Sequence, residues 1–232
     1  MNDARKIALA SSFAALHAVL YFISFGLWRN WGIYLETIEG VILGPKIGFT
    51  AALIGALVAR MIKSDPLWMF GVIAEPMSVL TAALLAQSKW KPVLGLYIAT
   101  LLAYFLHPYG QNLPLWTILD VLAAVLLTYP AAKIGGTLYA VDFKRLPVKL
   151  ALISFVCIAT DSLIRIFLLI PCGLHMLFFE SFNSLQGAFV EAAAWSYLED
   201  LIVVIVSLLV GVPLTLTVFK LGVVEVEKNV KG

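Results

Sequence analysis

Charge is scarce in this chain. Only 13% of its 232 residues are Asp, Glu, Lys or Arg, about half the share usual in soluble domains. With 62% hydrophobic residues and a mean hydropathy of +0.97, that scarcity excludes a soluble globular domain and predicts an integral membrane protein. Cysteine is scarcer still: Cys157 in an apolar run and Cys172 in a loop make neither a CxxC pair nor a disulfide framework. The three histidines, His17, His107 and His175, form no HExxH helix, and neither GxSxG nor a P-loop is present. No catalytic residues, metal or cofactor are therefore expected, and the chain is not expected to be an enzyme or to hydrolyse ATP itself. Basic runs and aromatic RNA-reading motifs are missing too, which leaves nucleic acid out as a partner. The apolar runs also lack period-two alternation; Pro, Gly and basic residues break them instead. That favours helices over an outer-membrane barrel. The expected fold is all-α: a polytopic membrane helix bundle forming a single transmembrane domain over 1–232.

What is there is organised around Ile33 to Ile62, about thirty residues that are too interrupted for one span. Glu36 and Glu39 sit in the first half, Gly44-Pro45-Lys46 cuts the middle, and Gly and Ala recur through the second half. Proline after glycine stops one helix and starts the next. The pattern predicts a short helix over 33–43, a tight break, and a full span over 47–62. A segment too short to cross a bilayer comfortably, yet carrying two carboxylates, is a poor anchor and a good site wall.

Around it the apolar periodicity predicts spans over 7–27, 68–87, 93–106, 115–132, 150–170 and 201–219. The first is too long for a signal peptide and lacks a small-residue cleavage site. Residues 107–114 and 171–184 read as loops, Trp28 to Trp31 as an interfacial aromatic turn, and 133–149 as the longest basic connection. Residues 185–197 either lie on the surface or extend the last helix outward. If every segment crosses, twelve basic residues fall on the side of both termini. Three (Arg29, Arg60 and Lys63) fall on the other, and Arg165 lies within a span. That bias predicts a cell-membrane protein with both termini cytoplasmic, and it requires 33–43 to count as a crossing.

This topology brings the acids to similar depth. Glu36, Glu39, Glu75, Asp120 and Asp161 fall in the outer halves or middles of their segments, and Glu199 and Asp200 at the outer end of the last one. Asp161 and Arg165, four residues apart on a helix, can pair. Carboxylates in hydrocarbon must be paired, protonated or hydrated, so they are expected to converge on one polar outer cavity. Seven carboxylates against the single Arg165 would leave that cavity acidic and favour a cationic or amine-bearing ligand. Trp68 and Trp116, among several outer aromatics, would offer stacking surfaces, although aromatic belts also place Trp at interfaces without a ligand. His17, in mid-span, reads as a hydrogen-bonded interior residue.

Small residues recur every fourth position: Ala10, Ala14 and Ala18 on the first span, Gly48, Ala52 and Ala56 on the third. Such spacing lets helices approach closely, within the protein or against another membrane subunit. The stretches ALASSFAA (8–15) and ILGPKIGFTAALIGAL (42–57), set among six segments within residues 1–134, resemble the substrate-binding S components of energy-coupling factor (ECF) vitamin transporters. The resemblance implies capture of a vitamin or similar micronutrient from outside, with partner ATPases providing the energy. It implies that Ala10 and Ala14 contact a transmembrane coupling subunit. S components normally have six spans, so the helices within 148–220 are an addition. Two other readings stand beside it. Intramembrane acids also carry coupling ions in secondary transporters, and a membrane-embedded lipid-acting enzyme is a third.

Overall fold

The computed structural model describes residues 3–23, 29–138 and 145–222; Trp28, Lys144 and the residues after 222, which entered the reading above, lie outside them. In chain order the helices are α1 (Asp3–Tyr21), α2 (Ile33–Ile62), α3 (Trp68–Ala86), α4 (Trp90–Leu106), the short α5 (Pro108–Asn112), α6 (Leu119–Gly135), α7 (Leu146–Leu169), α8 (Phe182–Val206) and α9 (Val212–Lys220). No strand occurs among the described residues. Helices 33–62, 68–86, 115–135, 146–169 and 182–220 are each long and apolar enough to cross a membrane, and 6–21 and 90–106 are shorter and apolar. The protein is an all-α helical membrane bundle.

The helix 33–62 is two crossings folded together. Gly44 has φ 75° and ψ 178°, a backbone region that essentially only glycine occupies. Pro45 opens the following leg, where a missing N–H does no harm. The chain reverses there. A Cβ on Gly48 would lie 3.4 Å from Glu39 O and 3.6 Å from the Gly40 Cα. Residues eight or nine apart on a straight helix are separated by about 12–13 Å. The first leg, 33–43, then runs beside α3 in the same direction: Glu36 reaches Ser78, Gly40 abuts Val79 and Ala82, and Gly44 faces Gln87. The break expected from Gly44-Pro45 is present, and the short helix does cross the bundle.

Every residue of that first leg is buried. With α3 and α7 it forms the centre of the bundle, wrapped by α1, the second leg, α4, α6 and α8. The helix ends group into two sets. Gly44, Gln87, Ser88, Gly135 and Lys149 meet at one end, where Ser88 Oγ donates to Ala132 O and Lys149 Nζ to Thr137 O. Tyr21, Lys63, His107, His175 and the start of α8 gather at the other, where the His107 and His175 rings meet edge to face with centroids 5.7 Å apart. We call these the Gly44 end and the His107 end.

Several boundaries depart from the sequence reading. The helix of span 1 stops at Tyr21, not Leu27. Residues 107–114 contain α5, capped by the His107 side chain, and 171–184 contain a 3-10 turn over Leu174–Leu177. The largest difference concerns the last span. Ser181 and Ser184 form a capping box that starts α8 nineteen residues before the expected 201. A π-turn over Ser207–Gly211 joins it to α9, absorbing Pro213, which sits in the first turn of α9. Residues 185–197 therefore extend the last helix. Glu199 and Asp200 lie deep within it, not at its outer end, and both are buried. Hydropathy missed this because 182–200 mixes polar and aromatic residues, while the cap is a local hydrogen-bond signal.

Candidate functional site

Ionisable side chains from α1, both legs of α2, α3, α7, α8 and the segment before α2 meet in the half of the bundle nearer the His107 end. One group centres on Glu75. Arg60 clamps it with Nη2 2.5 Å from Oε1 and Nη1 3.1 Å from Oε2. Asn30 Nδ2 donates to Oε1 at 3.2 Å. His17, wholly buried, stands between two carboxylates: its Nε2 is 3.1 Å from Glu75 Oε2 and its Nδ1 3.1 Å from Glu39 Oε2. A neutral imidazole donates from one nitrogen only, so this bridge requires one further proton, on the ring or on a carboxylate. The interior hydrogen-bonded role expected for His17 is thus what its geometry describes.

The second group centres on Arg29. Its Nε is 2.9 Å from Glu199 Oε2, its Nη1 donates to Asp161 Oδ2 at 3.3 Å, and its Nη2 donates to Ser162 at 3.1 Å and Ser196 at 2.5 Å. Its backbone N–H donates to Glu199 Oε1 at 2.9 Å. Arg165 Nε donates to Asp161 Oδ2 at 2.7 Å, the i,i+4 pair expected on α7. Arg165 also joins the two groups, with Nη2 3.5 Å from Glu75 Oε1. Glu36 lies to one side, accepting from Ser78 Oγ at 2.5 Å.

This arrangement corrects the expected charge balance. The seven carboxylates face three guanidiniums and an imidazole, because Arg29 and Arg60 turn inward. Each is 8% exposed, where the sequence reading had counted both among the basic residues of the outer side. Arg60 looked like a helix-end charge beside Lys63, and Arg29 like part of an interfacial turn between tryptophans. A paired interior is the economical outcome, since a lone charge at mid-membrane costs about 2.5–3.5 kcal/mol even on insertion scales. Glu75, Asp161 and Glu199 are accordingly held in ion pairs. Individual acceptors are still left without a hydrogen bond: Glu36 Oε1, Glu39 Oε1, Asp120 Oδ1, Asp161 Oδ1, Glu199 Oε2 and both Asp200 oxygens, although Arg29 lies 2.9 Å from Glu199 Oε2 and 3.8 Å from Asp200 Oδ1.

Above the charges, at the His107 end, lies a cavity of about 220 Å³. Its walls are Leu67, Phe70, Ile166, Leu169, Phe178, Phe179 and Phe189. Its polar lining comes from Arg29, Thr117, Asp120, Ser162, Arg165, Ser196 and Glu199. Of the acids and the arginine singled out from sequence, Asp120, Arg165 and Glu199 line the cavity. Glu36, Glu39, Glu75 and Asp161 are fully buried and do not line it. The acids do come together, but most of them form a buried network instead of cavity wall. Trp68 and Trp116 are 47% and 43% exposed and stand outside it. Their neighbours Leu67, Phe70 and Thr117 take the cavity positions, a register that helix periodicity alone did not fix. Phe70, Phe178 and Phe179, counted among the outer aromatics, do line it, while Phe189 was the missed wall, because α8 had not been read as reaching so far.

On the opposite flank, α1 and the second leg of α2 enclose a groove of about 530 Å³ lined by small residues, among them Ala10, Ala14, Ala18, Ala51 and Gly55. Ala10 and Ala14 are half-buried in it.

No family model matches the chain, and no solved structure matches it. It is similar to an uncharacterized protein, MJ0923, of Methanocaldococcus jannaschii, 28% identical over 131 residues. The match covers 56% of this chain and 44% of that protein, so the chain spans less than half the length of the relative it matches.

Proposed function

We propose that this multi-pass protein is a membrane transport protein: the substrate-binding subunit of an uptake system for a vitamin or similar small, amine-bearing micronutrient, energised by partner ATPases. The observation that carries the reading is the 220 Å³ cavity at the His107 end, apolar in its walls and charged in its lining. It is smaller than the roughly 300–1,000 Å³ usual for drug-sized ligands, which suits a small metabolite. The second support is the small-residue groove holding Ala10 and Ala14, shaped for close approach by a helix of a coupling subunit. In this reading the protein sits in the cell membrane with both termini cytoplasmic and the cavity facing out. Turning Arg29 and Arg60 inward leaves Lys63 as the water-facing cation of the three on the outer side, which sharpens the positive-inside asymmetry.

The test is affinity purification from cells that produce the protein naturally. An ATPase pair and a membrane coupling subunit are expected to accompany it in fixed ratio. Ala14→Trp, which fills the groove, is expected to release them. A protein recovered alone, or an unaltered complex in the variant, would overturn the coupling role.

A second reading, an ion- or proton-coupled secondary transporter, has one observation in its favour. Glu36 Oε1, Thr37 Oγ1 and Glu39 Oε1, close together on the buried first leg, all lack partners. It predicts uptake into proteoliposomes containing this chain alone, driven by an ion gradient without ATP.

A further inference from the structure

We propose that the ligand of the outer cavity is a zwitterion with an aromatic or other bulky apolar side group, of the amino-acid type, held by Asp120 at its ammonium and Arg165 at its carboxylate. This rests on the reading of the cavity as a substrate site and deepens it. Acids in the outer half point, by count, to a plain cation; their pairing points elsewhere. Glu199 lines the cavity but is held by Arg29 through both its oxygens. Asp120 is different: it lines the cavity, is 6% exposed, and leaves Oδ1 without a partner. Its neighbour Asp200, within hydrogen-bond reach of it, also finds no donor and has Arg29 Nη2 at 3.8 Å from Oδ1 as its counter-charge. A buried carboxylate oxygen with no donor is a standing demand for one, and a ligand ammonium supplies three.

The same cavity carries a demand of the opposite kind. Arg165 is 24% exposed, the most accessible charged group of the network, and it lines the cavity. Its Nε is engaged by Asp161 and its buried Nη2 lies 3.5 Å from Glu75 Oε1, so the exposed part of the guanidinium is the edge turned away from both. That exposed guanidinium edge matches a carboxylate. A cation alone would leave that edge unmatched, and an anion alone would leave Asp120 unmatched. Only a molecule carrying both charges answers both. Between them rise Phe70, Phe178, Phe179 and Phe189, which suit a flat apolar side group. A cavity of 220 Å³ holds one such residue-sized molecule and excludes a peptide.

The experiment is equilibrium binding to the purified full chain in nanodiscs, with three matched probes. L-phenylalanine carries both charges, phenethylamine the ammonium only, and 3-phenylpropionate the carboxylate only. Phenylalanine is expected to bind at least tenfold more tightly than either half-molecule. Asp120→Asn, which keeps the shape and removes the charge, is expected to weaken phenylalanine and phenethylamine at least tenfold and to leave 3-phenylpropionate bound as tightly or more tightly, because a repelling charge is lost. That retained probe also reports that the variant is folded. Phenethylamine binding as tightly as phenylalanine would overturn the inference in favour of a plain cation. Failure of all three probes, or equal weakening of all three by Asp120→Asn, would overturn it as well. Recovery of the ATPase partners alongside such a failure leaves the transport reading intact and removes the substrate class alone. Retained phenylalanine preference without partners does the reverse.

Discussion

Gly44 carries the reversal on which the whole centre of the bundle depends, and replacing it isolates a backbone effect from a packing effect. An alanine Cβ at this position would meet nothing closer than Gln87 Nε2 at 3.7 Å, an ordinary contact. Space is therefore available, and the penalty comes from φ 75° with ψ 178°, a combination that side-chain-bearing residues adopt at a cost of about 1–3 kcal/mol. For a chain of this size each kilocalorie lowers a thermal midpoint by about 2–4 °C, so Gly44→Ala is expected to fall by on the order of 5 °C. Gly40→Ala tests the neighbouring packing. Its Cβ would sit 2.3 Å from Val79 O and 3.0 Å from Ala83 N, forcing the first leg away from α3, so a larger loss and poor recovery of folded protein are expected. The assay is the thermal midpoint of monodisperse protein in detergent, followed by size-exclusion chromatography. A Gly44→Ala protein melting with the parent would mean that the chain does not reverse through this conformation, and the two-legged reading of 33–62 would fail with it.

Two further outcomes follow from the charges and the loops. Glu75→Gln strands the buried Arg60 fork and is expected to cost about 3–5 kcal/mol. Combining it with Arg60→Met removes the uncompensated charge, so the double variant is expected to melt above Glu75→Gln; additivity of the two losses would contradict the pairing. Outside the membrane-spanning helices, burial and then the adjacent His175 hold the His107 pKa below its ordinary value. Its Nδ1 accepts from the Tyr109 N–H at the start of α5. With the native pKa depressed, the unfolded chain takes up the proton first. Stability is then present at neutral pH and falls as pH drops below about 6.5 towards the native value. His107→Asn keeps a cap without the titration, so its midpoint is expected to vary less between pH 7.5 and 5.5; an unchanged slope would exclude His107 as the cause.

Much of the bundle was legible because hydrocarbon imposes simple rules. Apolar length marked α3, α6 and α7 to within a few residues, and Gly44-Pro45 marked the reversal because few other dipeptides stop one helix and start another. The acids stood out because charge is rare here, and the Asp161–Arg165 pair followed from spacing alone. Three things were hidden. The inward turn of Arg29 and Arg60 depends on partners up to 170 residues away, which no local pattern encodes. The early start of α8 rested on a serine cap within a polar-aromatic stretch that hydropathy discounts. The cavity wall depended on which face Phe70 and Thr117 present, one or two positions from the tryptophans that drew attention by type. His17 did leave a trace: a single imidazole three residues after Ala14 on a small-residue face, where only a partnered side chain could be accommodated.

The distribution of ion pairs along the chain has a meaning in time as well as in space. His17, Glu39, Arg60 and Glu75 all lie within the first 75 residues, so this group can close as soon as α3 has entered the bilayer. Arg29 cannot be satisfied so early. Its partners Asp161, Glu199 and Asp200 emerge from the ribosome more than 130 residues later. Assembly therefore has an order built into it: an N-terminal core that neutralises itself during synthesis, and a waiting guanidinium that recruits α7 and α8 when they arrive. The cavity, whose walls come from both halves, exists only after that late closure, so a chain truncated before α8 inserts and carries its first charge cluster without ever forming the pocket.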